Sequence, residues 1–352
     1  MKGLIKESVS RMKGYVPGEQ PTERGIVKLN TNENPYPPST RVAQALRDLS
    51  AERLRLYPDP LCKALRRAIA AEFDVDPAGV FVGNGSDEIL ALCTRAFVED
   101  RGSIGYFDPS YSLYPVLAEI RGVAGKPVDL GSDFEWRMPA GYQASLFFMT
   151  NPNAPTSILY PKAQVESFCR AFDGVVLIDE AYVDFSSAHC MDIARRLENT
   201  LVMRTFSKSY SLAGLRVGYV AGNPELIEAL FKIKDSYNVD AISQQVALGA
   251  FADQPHMRAN VERIKVTRRR LSEALAGMGY RVCPSETNFL WVRPPADPAA
   301  RVFEALRQQG ILVRHFPGPR TGDFLRITIG TDEEVDQLIS ALNRTGGRGN
   351  GR

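Results

Sequence analysis

Between residues 38 and 235 the chain repeats one alternation, in which short apolar runs follow amphipathic stretches. The apolar runs are 80–82, 104–107, 146–149, 175–178, 201–205 and 217–221, and the helical patterns cover 40–50, 60–73, 86–98, 111–121, 161–171, 189–197 and 224–235. Such alternation predicts an α/β fold with a mostly parallel mixed sheet sandwiched by helices. It also places a ligand site at the C-terminal ends of the strands. Beyond 240 the pattern changes. Helices at 241–252, 256–278, 298–309 and 331–344, with strands near 280–283, 288–292, 311–314 and 324–329, predict a smaller α+β domain. The expected organisation is an N-terminal arm over 1–37, a large domain over 38–240 and a small domain over 241–345. The arm carries one short helix at its start and packs on the small domain or on a partner subunit. The basic, glycine-rich stretch 346–352 is expected to be disordered.

Charge and cysteine usage exclude several classes. A net charge of +2 gives no footprint for nucleic acid or for an anionic membrane. Cys62, Cys93, Cys169, Cys190 and Cys283 form no metal spacing, and three scattered histidines suggest no metal cluster. Reduced thiols in a cytoplasmic protein are the expectation. Residues 1–16 are charged and lack an apolar core, so no secretory leader is expected. No apolar run approaches the ~18 residues of a membrane span.

The chemistry lies at the strand ends. Asp179 follows the apolar run Val175–Ile178, and Lys208 follows the run 201–205 in a hydroxyl-rich turn. A lysine amine can condense with an aldehyde, and a buried carboxylate can hold a pyridine nitrogen protonated. Thr205, Ser207 and Arg216 can converge on a phosphate, the arginine through its guanidinium fork. Together they read as a pyridoxal-phosphate site, with Lys208 also moving protons as general base and acid. Tyr182, three residues after Asp179, can give its phenol proton to the cofactor's ring oxygen.

Other strand ends add candidates. Gly83-Asn84-Gly85-Ser86-Asp87-Glu88 opens the helix 86–98, so the amides of Gly85, Ser86 and Asp87 suit a phosphate; the same residues also suit a plain capping box. Tyr111, after the run 104–107, can stack on the pyridine or fill the core. Asn151-Pro152-Asn153-Ala154-Pro155-Thr156-Ser157 forms a strand-end loop whose asparagine can reach the cofactor's phenolic oxygen. Arg314 and Arg326 lie in apolar strands, where a guanidinium is costly unless it meets an anion.

These motifs resemble those of the fold-type I pyridoxal-phosphate aminotransferases, and most narrowly the histidinol-phosphate aminotransferases. The resemblance runs from about Lys13 to Leu342. Its more specific parts include Gly14–Gly18 and Leu29–Tyr36; the segments Asn32-Glu33-Asn34-Pro35 and Tyr57-Pro58-Asp59-Pro60 point to that subgroup, whereas those around Asp179 and Lys208 are shared more widely. It implies transamination of L-histidinol phosphate with 2-oxoglutarate in histidine biosynthesis. Lys208, Asp179 and Tyr182 would be catalytic. Gly85, Ser86, Asp87, Tyr111, Asn153, Thr205, Ser207 and Arg216 would hold the cofactor. Tyr57 would reach the phosphate in the partner subunit of a homodimer. Arg314 and Arg326 would bind the substrate anion, and Tyr15 and Asn32 would help close the pocket.

One departure stands out. The usual Asn-Asn-Pro-Thr-Gly loop has Ala154 at its second asparagine and Ser157 at its glycine. Asn153 or Tyr182 alone would then serve the ring oxygen. Transamination of aromatic amino acids, decarboxylation of a phosphorylated amino acid and a non-catalytic binding role are the competing readings.

Overall fold

The computed structural model describes residues 3–23 and 25–346. Apart from Gly346, the tail expected to be disordered lies outside them. Thirteen strands occur in the order β1 Val27–Lys28, β2 Val80–Gly83, β3 Ser103–Asp108, β4 Ala124–Asp129, β5 Leu146–Thr150, β6 Val175–Asp179, β7 Thr200–Thr205, β8 Gly218–Gly222, β9 Arg281–Val282, β10 Phe289–Arg293, β11 Ile311–Leu312, β12 Arg314–His315 and β13 Leu325–Thr328.

Seven of them form one sheet in the order β2-β8-β7-β6-β5-β3-β4, in which β8 alone runs against the rest. Both faces are buried. Phe147 and Met149 of β5 belong to one apolar cluster, while Leu146 and Phe148 belong to another. The period-two alternation of a strand sends successive side chains to opposite sides, so a strand apolar throughout needs a helical layer on each. On one side the helices Gly85–Phe97, Leu113–Arg121 and Pro224–Ile233 supply that layer. The register sets Thr150 opposite Asp179 and Asp179 opposite Met203, which aligns the C-terminal ends of β5, β6 and β7.

A four-stranded antiparallel sheet, β12-β13-β10-β9, follows the long helix Gln254–Gly277. That helix is capped by the Asp253 side chain and has Pro255 in its first turn. It buries Met257, Val261, Ile264, Leu271 and Leu275 as one stripe. The N-terminal arm begins with the short helix Glu7–Arg11 and adds β1 in parallel to β11. No helix among the described residues is long and apolar enough to cross a membrane.

Three details differ from the sequence reading. The stretch 124–129 is a strand: β4 lies on the sheet edge, where Gly125 and Pro127 are tolerated and only Val128 is buried. The helix expected over 40–50 ends at Arg47, and a short turn of helix covers Ala51–Arg55. The strand expected at 311–314 divides, because β11 pairs with the arm and β12 with β13.

Candidate active site

A cleft of about 500 Å³ opens where the C-terminal ends of β3, β5, β6 and β7 meet the arm and the four-stranded sheet. Asp179 ends β6 at its floor and is buried. Its Oδ2 accepts from the Tyr114 hydroxyl at 2.8 Å and its Oδ1 from the Ala181 amide at 3.0 Å. Burial pushes its carboxyl up to about 6, despite the bond from Tyr114 that pulls the other way.

Lys208 reaches the cleft from the turn after β7, and its Nζ meets the Thr31 carbonyl at 3.3 Å. Burial first, then the nearby Arg326 guanidinium, lowers its amine to about 8. That turn is fixed from the arm, because Asn34 donates to the carbonyls of Lys208 and Ser209.

Tyr182 accepts a hydrogen bond from Asn32 Nδ2 at 2.9 Å, which leaves the phenol proton free for a further partner. Asn32 has a left-handed backbone, and its side chain and amide both bond Thr328 Oγ1 at 3.0 Å. It therefore ties the arm to β13 as well as lining the cleft.

One end of the cleft lies at the first turn of the helix Gly85–Phe97. Ser86, Asp87, Thr205, Ser207 and Arg216 line it, and Thr205 donates to Ser207 at 3.0 Å. Gly85 has φ +79°, and a Cβ there would stand 2.7 Å from the Arg216 guanidinium. Only glycine meets both conditions. Arg216 contacts Asp87 at 3.3 Å and Ser207 at 3.4 Å, long bonds that leave its fork accessible.

Arg326 lies over the opposite end. Its Nη2 donates to the Asn30 carbonyl at 2.9 Å, and its Nε is buried without a partner. Arg314 lines the same end and donates to the carbonyls of Val16 and Pro17. Tyr15 packs edge-on against Tyr111 at 5.8 Å, and Tyr111 donates to Asp87 at 3.2 Å.

Two candidates are not brought together with the others. Asn153 is fully buried and turned away: its Nδ2 donates to the Pro109 carbonyl and Thr156 Oγ1, and its Oδ1 accepts from Ser110. Both of its amide protons are engaged away from the cleft, which corrects the expectation that it reaches a cofactor oxygen; Ala154 lines the cleft instead. Tyr57 is 80% exposed and stacks on Tyr237 at 4.3 Å, outside this cleft.

Sequence reasoning missed Tyr114 and Thr150, whose hydroxyls lie 2.5 Å apart beside Asp179. Thr150 carries the same signal as Asp179, a polar residue closing an apolar run. Tyr114 lies in the first turn of the helix Leu113–Arg121, three residues after Tyr111, and the two rings meet edge-on at 5.6 Å.

A half-buried amine and a buried carboxylate on neighbouring strand ends, between a cup of hydroxyls with a guanidinium and a half-buried arginine, suit a group-transfer enzyme of the aminotransferase type. The family model described as aminotransferase class I and II matches residues 24–342, and the chain belongs to that family. More particularly, it is 46% identical over 350 residues to a histidinol-phosphate aminotransferase of Chromohalobacter salexigens, covering 97% of this chain and 99% of the relative. A histidinol-phosphate aminotransferase of Citrifermentans bemidjiense is 42% identical over 344 residues, covering 97% and 98%. The crystal structure of a histidinol-phosphate aminotransferase from Sinorhizobium meliloti in complex with pyridoxal-5'-phosphate superposes with a TM-score of 0.88 at 25% identity, covering 98% of each chain.

Proposed function

We propose that the cleft transaminates L-histidinol phosphate with 2-oxoglutarate, using pyridoxal phosphate, as a step of histidine biosynthesis. The relatives that match along nearly the whole chain support the substrate. The observation that carries the reading is the convergence of Lys208 and Asp179 on one floor beneath a half-buried Arg326 whose Nε is buried without a partner.

The residues present fit the cofactor. The cup of Ser86, Thr205, Ser207 and Arg216 suits its phosphate, and a side chain at Gly85 would press on the Arg216 guanidinium from 2.7 Å. Asp179 suits its ring nitrogen, Tyr182 its phenolic oxygen and Tyr111 its ring face. When bound, pyridoxal phosphate supplies an aldehyde that condenses with amines and a ring that withdraws electrons from the carbon losing its proton.

The chain's own residues do the rest. Asp179 would hold a positive charge on the ring nitrogen, a pairing that would offset the cost of burying its carboxylate. Lys208 Nζ, made less basic by burial, would take the proton from the substrate's amine-bearing carbon and carry it across the nitrogen to the carbon that the cofactor's aldehyde supplied. Arg326 and Arg314 bind the anionic end of each substrate, phosphate in one half-reaction and carboxylate in the other. Tyr15, Tyr111 and the arm residues Thr31 and Asn32 line the cleft beside them.

Tyr57 belongs to this reading through a second subunit. It is exposed on its own chain beside Leu54 and Leu56, which are also exposed. We place it at the cofactor phosphate of a homodimeric partner. All five cysteines are free and buried, which suits a reducing cytoplasm.

The test is a visible absorbance spectrum of the purified protein loaded with pyridoxal phosphate, before and after L-histidinol phosphate or L-phenylalanine is added without a 2-oxo acid. Conversion of the bound cofactor to its amine form at far lower histidinol phosphate than phenylalanine is expected. The reverse order would make the chain an aromatic amino-acid aminotransferase. Release of CO₂ without need of a 2-oxo acid would make it a decarboxylase.

A further inference from the structure

The two ends of the cleft are built on different sheets. Asp179, Lys208 and the anion cup belong to the seven-stranded sheet, while Arg314 and Arg326 belong to the four-stranded one. Something must set the distance between them, because a substrate spans both.

The loop 316–324, which joins β12 to β13, touches both sheets. Phe316 lies under both arginines, with the Arg326 guanidinium 5.2 Å and the Arg314 guanidinium 5.3 Å from its ring. Phe316, Pro317 and Thr321 line the cleft. The loop is compact, closed by bonds from the Gly322 amide to the Gly318 carbonyl and from the Phe324 amide to the Thr321 carbonyl.

Arg320 projects from this loop onto the other sheet. Its Nη1 donates to the Asp108 carbonyl at 3.1 Å and to the Leu130 carbonyl at 3.0 Å. Its Nη2 pairs with Asp129 Oδ2 at 2.6 Å, and its Nε lies 3.8 Å from Asp108 Oδ2. Asp108 ends β3 and opens the turn that carries Tyr111, and Asp129 ends β4. One guanidinium thus grips two strand ends of the large sheet while its own loop supports the two arginines. A planar fork with several donors fixes orientation as well as distance, which a single ammonium does not.

We infer that Arg320 is a positioning residue that sets the substrate-anion pair, Arg314 and Arg326, in register over the Lys208–Asp179 floor. It touches neither of those four side chains. The inference rests on the reading of Arg314 and Arg326 as the substrate's anion site.

A second contact across the same seam provides the control. Arg281 bonds Asp133 at 2.7 Å and the Ser132 carbonyl at 3.3 Å; it lies on β9 and meets the loop at its far end, over the Phe324 ring at 5.8 Å, rather than at the cleft-lining Phe316, Pro317 and Thr321. If Arg320 only glued the two sheets together, loss of Arg281 would have the same effect.

The experiment measures kcat and KM for L-histidinol phosphate, and cofactor affinity by absorbance, in the wild type, Arg320→Gln, Arg320→Lys, Asp129→Asn and Arg281→Gln. Arg320→Gln should raise KM about tenfold, keep kcat within about twofold and leave cofactor affinity unchanged. Arg320→Lys and Asp129→Asn should fall between it and the wild type, and Arg281→Gln should match the wild type. An active wild type with unchanged KM in Arg320→Gln would overturn the assignment. So would an equal loss in Arg281→Gln, or a loss of cofactor affinity that tracks the rise in KM. A wild type that turns over no histidinol phosphate would instead sink the functional reading, and the register argument with it.

Discussion

The Tyr114 hydroxyl donates to Oδ2 of Asp179 at 2.8 Å, and both groups are buried. This bond opposes burial, which pushes the Asp179 carboxyl up to about 6. A carboxyl raised in the folded state stabilises the fold below its unfolded value, and that contribution is lost as pH rises through the folded value. In the cofactor-free protein Asp179 should therefore cost stability between about pH 4 and 7, by about 3 kcal/mol at most. Asp179→Asn removes that cost, so thermal unfolding of the apoprotein should show a higher midpoint at pH 7.5 and a flatter pH profile. Tyr114→Phe should do the opposite, steepening the fall. Identical profiles in all three proteins would show that the site is wetter than the geometry implies.

Lys208 makes a kinetic prediction. Its amine is lowered to about 8, with burial the larger cause and Arg326 the next. Only the neutral amine attacks an aldehyde, so covalent uptake of pyridoxal phosphate by the apoprotein should rise with pH about a midpoint near 8, well below an ordinary lysine. Arg326→Gln removes a nearby positive charge and should move the midpoint upward. Borohydride trapping across a pH series reads it, and Lys208→Ala should trap nothing there. A midpoint that falls in Arg326→Gln would contradict the coupling.

The parts of this site that the sequence made legible are those set by period and position. Asp179 and Thr205 close apolar runs, and a chain apolar on both faces has little choice but a sheet between helices. What stayed hidden depends on contacts between distant segments. β4 is an edge strand whose exposed residues carry no apolar alternation. The Tyr114–Asp179 bond spans 65 residues, and Arg320 meets partners 190 and 212 residues away. Asn153 shows the limit most clearly. Its residue type suits a cofactor oxygen, but Pro109, Ser110 and Thr156 have taken its amide.

Gly85 gives a test of the anion cup. Its φ of +79° strains any side chain, and a Cβ would press on Arg216 from 2.7 Å. The left-handed conformation costs an alanine roughly 1–2 kcal/mol. Displacement of the guanidinium adds to it. Gly85→Ala should weaken pyridoxal phosphate binding by at least about tenfold, read by spectral titration. Pyridoxal without the phosphate should bind the variant and the wild type alike. An equal loss for both would place the anion elsewhere.

The buried pair Glu180–Arg204 lies directly behind the cleft floor, one residue from Asp179 and one from Thr205. Arg204 Nε donates to Glu180 Oε2 at 2.8 Å, the Cys190 amide also bonds Glu180, and the guanidinium covers the Phe73 ring at 4.6 Å. Glu180 is 1% exposed and Arg204 is 7% exposed, so neither charge has water to fall back on. Glu180→Leu leaves a buried guanidinium with only Asp184, 3.8 Å away, as a second carboxylate. Loss of one partner of such a pair costs about 3–5 kcal/mol. Removing both charges in Glu180→Leu/Arg204→Met leaves no stranded ion, so the double variant should be more stable than the worse of the two single ones. The midpoints of urea unfolding of the apoproteins read the comparison. A double variant that loses the sum of the single losses would mean that the two charges act independently, and that the pair does not hold β6 and β7 together behind the site.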